Sequence, residues 1–168
     1  MGFFASFAGL QVTSARVLLP PWGAATADVE LPDPSALPSS GVLTIADLSL
    51  TMAVVRAPAG GFAGSQSARL VGGAGGWRRP VNERAYRAAG GVKLSTVVRD
   101  AAAEVGEAVV VPAAADRLLG SFWLRPAGPA SRSLRQLLGQ GWRVDAAGVT
   151  QASAWASAVV AVPYTVRR

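Results

Sequence analysis

The stretch "VGGAGGWRRP", Val71 to Pro80, puts four glycines, a tryptophan and two arginines into ten residues, and it divides two unlike patterns of sequence. A phosphate-binding loop of this length needs Lys-Ser or Lys-Thr opening a helix, so that a lysine and backbone amides meet the phosphates. Here there is no lysine or hydroxyl, and a proline closes the stretch. The dinucleotide fingerprint fails too: counting from Gly73 and Gly75, Arg78 stands where the last glycine belongs. The remaining reading is structural, a hinge between two parts of the fold. Gly72, Gly73, Gly75 and Gly76 open positive φ to the backbone, Trp77 seals the junction by packing on both sides, and Arg78 and Arg79 sit at its rim.

Before this stretch the periodicity is that of strands. "GLQVTSARVLLP" alternates and then runs apolar, and "ATADVEL" sets Ala25, Ala27, Val29 and Leu31 against Thr26, Asp28 and Glu30. In "GVLTIADLSLTMAVVRA", Val42, Thr44, Ala46, Leu48 and Leu50 share one face and Leu43 and Ile45 the other. Asp47 marks either a turn between two strands or the point where one strand leaves the core. "GGFAGSQSARLVGG" adds a further strand. Residues 9 to 73 thus predict four to five short strands, with Gly and Pro turns and no helix, in a small barrel or sandwich.

After Pro80 the period changes. Leu94, Val97, Val98, Ala101 and Val105 recur at helical spacing in "GVKLSTVVRDAAAEVGE", with Ser95 as the expected cap and Gly106 as the stop. Strand material follows from Ala108 to Val111 and from Ser121 to Arg125. A second helix has Ala130, Leu134, Leu137 and Leu138 on one stripe, Ser131 as cap and Gly139 or Gly141 as stop. Short strands close the chain around Asp145-Ala-Ala-Gly. Each helix is ended by glycine and followed by a strand, a shared supersecondary plan. The fold class expected is mainly β with an α+β part: a barrel-like unit with an apolar N-terminal arm over residues 1–76 and an α+β unit over 77–168.

Composition narrows the chemistry. Of 168 residues, 51% are hydrophobic and 15% charged, with 19 glycines and 11 prolines, the profile of a packed, loop-rich protein. Cysteine and histidine are both absent, which removes thiol nucleophiles, imidazole bases, Cys and His metal sites and disulfides. No cofactor, metal site or catalytic residue is expected. The acids are Asp28, Glu30, Asp33, Asp47, Glu83, Asp100, Glu104, Glu107, Asp116 and Asp145. Only Asp100 and Glu104 fall one helical turn apart, on a polar face where pairing with an arginine such as Arg99 or Arg135 is the expected role.

Net charge is +6, and it is uneven. Residues 1–65 carry two basic and four acidic side chains, residues 66–168 fourteen basic and six acidic. The arginines are scattered singly apart from Arg78-Arg79 and Arg167-Arg168, so a solvated surface or subunit contact is favoured over nucleic acid. The opening "MGFFASFAGL" lacks a basic flank and is too short to span a bilayer. Gly2 and Ser6 fit only the loose myristoylation spacing, and Phe3, Phe4 and Phe7 read as anchors of a docked arm. Among the tryptophans, Trp22 follows two prolines and is the candidate for an exposed contact, while Trp123 and Trp142 fall in predicted strands.

"GVKLSTVVRDAAAEVGEAV" resembles the segment of phage tail and baseplate hub proteins, the late-control-gene-D and tail-hub group, in which a short helix ending in Ala-x-x-x-Gly-Glu leads into a strand. "GPASRSLRQLLGQGWRVDAAGVTQ" resembles the second such unit, and "LVGGAGGWRRPVNERAY" the linker after the first β-barrel. The likeness covers residues 66 to 153, and this chain is shorter than the larger hubs, with no visible spike or lytic domain. It implies a non-enzymatic structural subunit of a tail tip or baseplate, an oligomer in the virion made in the host cytoplasm. Its implied partners are its own copies and neighbouring tail proteins, with no membrane, nucleic acid or small-molecule substrate. Phe3, Phe4, Phe7, Trp22, Trp77, Arg78 and Arg79 are the candidate assembly residues. The alternatives are a small barrel binding single-stranded nucleic acid and a carboxylate-dependent cell-wall hydrolase.

Overall fold

The computed structural model describes residues 5–32, 37–60 and 65–153. Alternating apolar residues build seven strands in the first part: β1 (Ala5–Phe7), β2 (Leu10–Gln11), β3 (Ser14–Leu18), β4 (Thr26–Leu31), β5 (Ser40–Ile45), β6 (Leu48–Gly60) and β7 (Gln66–Gly72). They form one antiparallel sheet in the order β2-β1-β5-β6-β7-β4-β3. Its two edge strands are successive pieces of the same stretch of chain. The Val12 N–H donates to the Ala5 carbonyl at one end of the sheet, and the Thr13 N–H to the Glu30 carbonyl at the other. The sheet therefore curls until both ends converge on neighbouring residues, although its ladder does not close into a barrel.

Strand β4 buries Ala27, Val29 and Leu31 and exposes Asp28 and Glu30, as its alternation predicts. From Ala5 on, the apolar opening is itself part of the sheet. β1 and β2 form a two-residue hairpin through Ala8 and Gly9, both at positive φ, which accounts for part of the excess over the predicted strand number. Between β5 and β6 the face assignment needs correction. Ile45 pairs with Leu48 across Ala46-Asp47, so Leu43 and Leu50 lie opposite each other on the buried face while Val42 is exposed. A two-residue turn exchanges odd and even positions between its strands, which a single running alternation cannot show.

The second part contains β8 (Pro80–Val81), β9 (Arg84–Arg87), α1 (Leu94–Val105), β10 (Val109–Val110), β11 (Phe122–Arg125), β12 (Gly128–Pro129), α2 (Ser131–Leu138), β13 (Trp142–Val144) and β14 (Thr150–Ala152). Leu94, Val97, Val98, Ala101 and Val105 of α1 pack with Leu134, Leu137 and Leu138 of α2 in one core. The sheet of the first part encloses a separate one around Phe7, Leu43, Met52 and Leu70. The strands that follow the two helices flank the same partner, in the order β10-β14-β13. The repeated helix-glycine-strand plan thus ends in one small sheet.

Both helix starts differ from expectation. Ser95 is not the cap of α1: Lys93 holds that position without a side-chain bond, and Ser95 lies inside the first turn. There its N–H and hydroxyl both donate to Asp116, at 2.8 Å each, so a carboxylate from a distant loop serves the exposed amides. Burial alone would raise the Asp116 pKa, but these two bonds, together with the Lys93 and Arg99 charges, outweigh it and hold the group below its ordinary value. In α2, Ser131 is the first helical residue rather than the cap, which falls on Ala130. The predicted glycine stop of α1 is present, with Gly106 at φ 74°.

Candidate functional site

The glycine stretch leaves β7, turns once in a 3₁₀ turn (Gly76–Arg78) and enters β8. It does form an anion cradle, and the anion is the protein's own. Glu107, the residue after the α1 stop, accepts N–H groups from Ala74 (3.2 Å), Gly76 (2.5 Å) and Trp77 (3.4 Å). Its exposure is 7%. Glycine is required at position 76 because a Cβ there would lie 2.2 Å from the Val105 carbonyl oxygen. Two parts of the chain that are remote in sequence are thereby locked face to face.

Backbone bonds fasten the same junction from other sides. Gly23 donates to Trp142 and accepts from Val144, both at 2.8 Å, and the Thr51 N–H donates to Ala146. In place of a free hinge, the stretch forms a corner held at several points.

Trp77 is buried at this corner. Its indole N–H donates to Thr150 Oγ1 at 2.7 Å, and its ring lies 6.5 Å from that of Trp142 at a tilt of 54°. Above the two rings opens a cleft of about 380 Å³ whose walls include Trp22, Gly23, Trp77, Arg78, Ser131 and Arg135. Trp22 is 39% exposed. Arg78 and Arg79 are also exposed, at the rim, and make no ion pair among the described residues. Glu107 reaches the floor of this cleft with its carboxylate engaged by the loop.

The helical carboxylate pair lies elsewhere. Asp100 and Glu104 both bind Arg125, whose side chain is 1% exposed, and not Arg99 or Arg135. Arg84 joins Asp100 at 2.5 Å, the Tyr86 hydroxyl donates to the same carboxylate, and Arg125 also donates to the Asn82 carbonyl. The Asn82 N–H, and after it Arg125, hold the Glu104 pKa below its ordinary value against a smaller opposing effect of burial. Burial and the bond to Asp100 push the Tyr86 hydroxyl up, so it remains a donor. The cluster ties α1 to β9 and β11; its two acids are engaged by the same guanidinium, and Glu104 lacks the raised pKa of a general acid.

Of the candidate assembly residues, the structure brings Trp22, Trp77 and Arg78 to one cleft and places Arg79 beside it. Phe7 is fully buried in the first core, so its ring serves the chain's own packing. Phe3 and Phe4 lie outside the described residues. Two features escaped the sequence reading. Glu107 was one acid among ten, although it is the glutamate of the Ala-x-x-x-Gly-Glu segment. Phe122 and Leu124 form an exposed apolar face on β11, where Arg87 lies over the Phe122 ring at 5.5 Å.

The chain shares its fold with a protein of known structure. The match is to the crystal structure of the tail protein from Neisseria meningitidis MC58, with a TM-score of 0.59 at 18% sequence identity. It covers 90% of this chain and 50% of that one, so the present chain spans about half the length of its structural neighbour. No protein-family model matches the sequence, and no curated protein does. Among the described residues no helix is long and apolar enough to cross a membrane, and no cluster of three or more acidic side chains is placed to hold a metal ion.

Proposed function

We propose that this chain is a structural subunit of a bacteriophage tail, placed hub-like at the tail tip or baseplate and acting by assembly about the tail axis. The observation that carries this reading is the fold shared with a tail protein over 90% of the chain. The sequence is consistent with it, having no cysteine or histidine, and among the described residues the Asp100–Glu104 pair is bound by Arg125, so no catalytic activity is assigned. The partners are further copies of the chain and neighbouring tail proteins, and the product is a virion component. Of the candidate assembly residues, Trp22, Arg78 and Arg79 are described and exposed for such contacts. Mass spectrometry and antibody-labelled electron microscopy of purified particles test the assignment. The chain is expected at the distal end of the tail; its absence from virions containing all other tail proteins overturns the reading.

A further inference from the structure

We infer that the cleft between the two parts is a docking site for an acidic peptide segment of a different protein. The chemistry of its walls points one way. Arg78 and Arg135 line it, Arg79 stands next to it, and none of the three has an ion-pair partner among the described residues. The first turn of α2, at Ser131, adds the positive end of the helix dipole. The sole carboxylate on the walls, Glu107, spends its oxygens on the Ala74, Gly76 and Trp77 amides. A cationic depression with an exposed indole at its edge suits carboxylates alternating with apolar side chains, the guanidiniums taking the first and Trp22 the second.

Charge selects the class of occupant. Each chain carries a net +6, so at this cationic cleft an acidic partner is attracted more strongly than a second copy. Single-stranded nucleic acid needs a run of stacking aromatics along a basic track, and here one exposed tryptophan meets a short cleft. The inference rests on the assembly reading, because a structural subunit meets its partners through surface of this kind. Its test does not: binding is measured on the purified chain whether or not virions contain it.

The probe is a fluorescein-labelled peptide of alternating glutamate and leucine, followed by fluorescence anisotropy, with oligothymidylate and polyglutamate of equal length beside it. The alternating peptide is expected to bind best. Arg78→Gln with Arg135→Gln should weaken it about tenfold, the loss of charge-assisted hydrogen bonds. Arg16→Gln with Arg99→Gln, an equal charge loss on exposed positions outside the cleft, should leave it within about twofold. Trp22→Ala should remove the advantage of the alternating peptide over polyglutamate. Equal losses in the two double variants, or tighter binding of oligothymidylate through Arg78 and Arg135, overturn the inference. So does light scattering in which the cleft variant alone abolishes self-association, since the occupant is then a second copy.

Discussion

Among the described residues, two charged side chains are buried in the α+β part, and the fold holds them in opposite ways. Glu107 is bound by backbone amides of a glycine loop; Arg125 is bound by the carboxylates of Asp100 and Glu104 and by one backbone carbonyl. The amides around Glu107 belong to the main chain, so that clasp depends on the shape of the loop. The carboxylates around Arg125 are carried on side chains of α1, and the Glu104 carboxyl is held below its ordinary pKa, so that clasp weakens in acid. Moreover, a backbone clasp demands residues that let two main chains approach, whereas a side-chain clasp spans a gap. The first explains the glycines of the junction, and the second the acids of α1.

The contrast is broken most severely at Gly76. In Gly76→Ala the new methyl group meets the Val105 carbonyl oxygen at 2.2 Å, a backbone atom that cannot swing aside. The loop must retreat, and with it go the amide bonds to Glu107. We expect a loss of about 4 kcal/mol in urea denaturation, or failure to fold, the range of overpacking combined with unsatisfied buried polar groups. A loss below about 1 kcal/mol, the size of an ordinary surface change, refutes the requirement for glycine at this corner.

The second clasp is sharpened by acid. The depressed pKa of Glu104 means that its contribution to stability is full above its ordinary value of 4.5 and is lost as pH falls through the folded-state value. Asp116 and Asp145 act in the same direction: in each, hydrogen bonds from neighbouring residues outweigh burial and lower the pKa. Stability should therefore decline below the ordinary carboxylate range, with little change from there to neutrality. Arg125→Met removes the cation between two partly exposed carboxylates and should cost about 2–3 kcal/mol at neutral pH, below the full value for a wholly buried pair. Its acid decline should be shallower than that of the parent but still present, since the Asn82 amide continues to serve Glu104. Parallel acid profiles for the two proteins would show that Arg125 does not couple to this titration.

The same contrast separates what the sequence discloses from what it conceals. Helices α1 and α2 are legible because their apolar stripes are local and complete, from Leu94 to Val105 and from Ala130 to Leu138. Asp100 and Glu104 announce an arginine partner by their helical spacing, but not which one, because Arg125 arrives from a strand 21 residues beyond Glu104. Strands β8 and β12 are two residues long and carry no alternation, and their pairing exists only in the folded chain. Glu107 is hidden for a related reason. Its partners lie 30 to 33 residues upstream, and nothing at position 107 distinguishes a clasping carboxylate from a solvated one. The glycine stretch looked like an anion loop lacking its lysine; the anion it binds has no need of a lysine, being already part of the protein.

The smallest expected effect concerns the tryptophan at the junction. Trp77→Phe keeps an aromatic ring against Trp142 and deletes the indole N–H that reaches Thr150, a residue with no solvent exposure. A buried bond between neutral groups contributes about 1 kcal/mol net, and an abandoned acceptor adds to the cost. We expect Trp77→Phe to lower stability by about 1–2 kcal/mol, and Thr150→Val in that background to cost little more, because the orphaned hydroxyl is then gone. A double-mutant cycle in urea reads the coupling directly. If the two substitutions add independently, the bond contributes nothing to the corner, and the indole is retained there for its size alone.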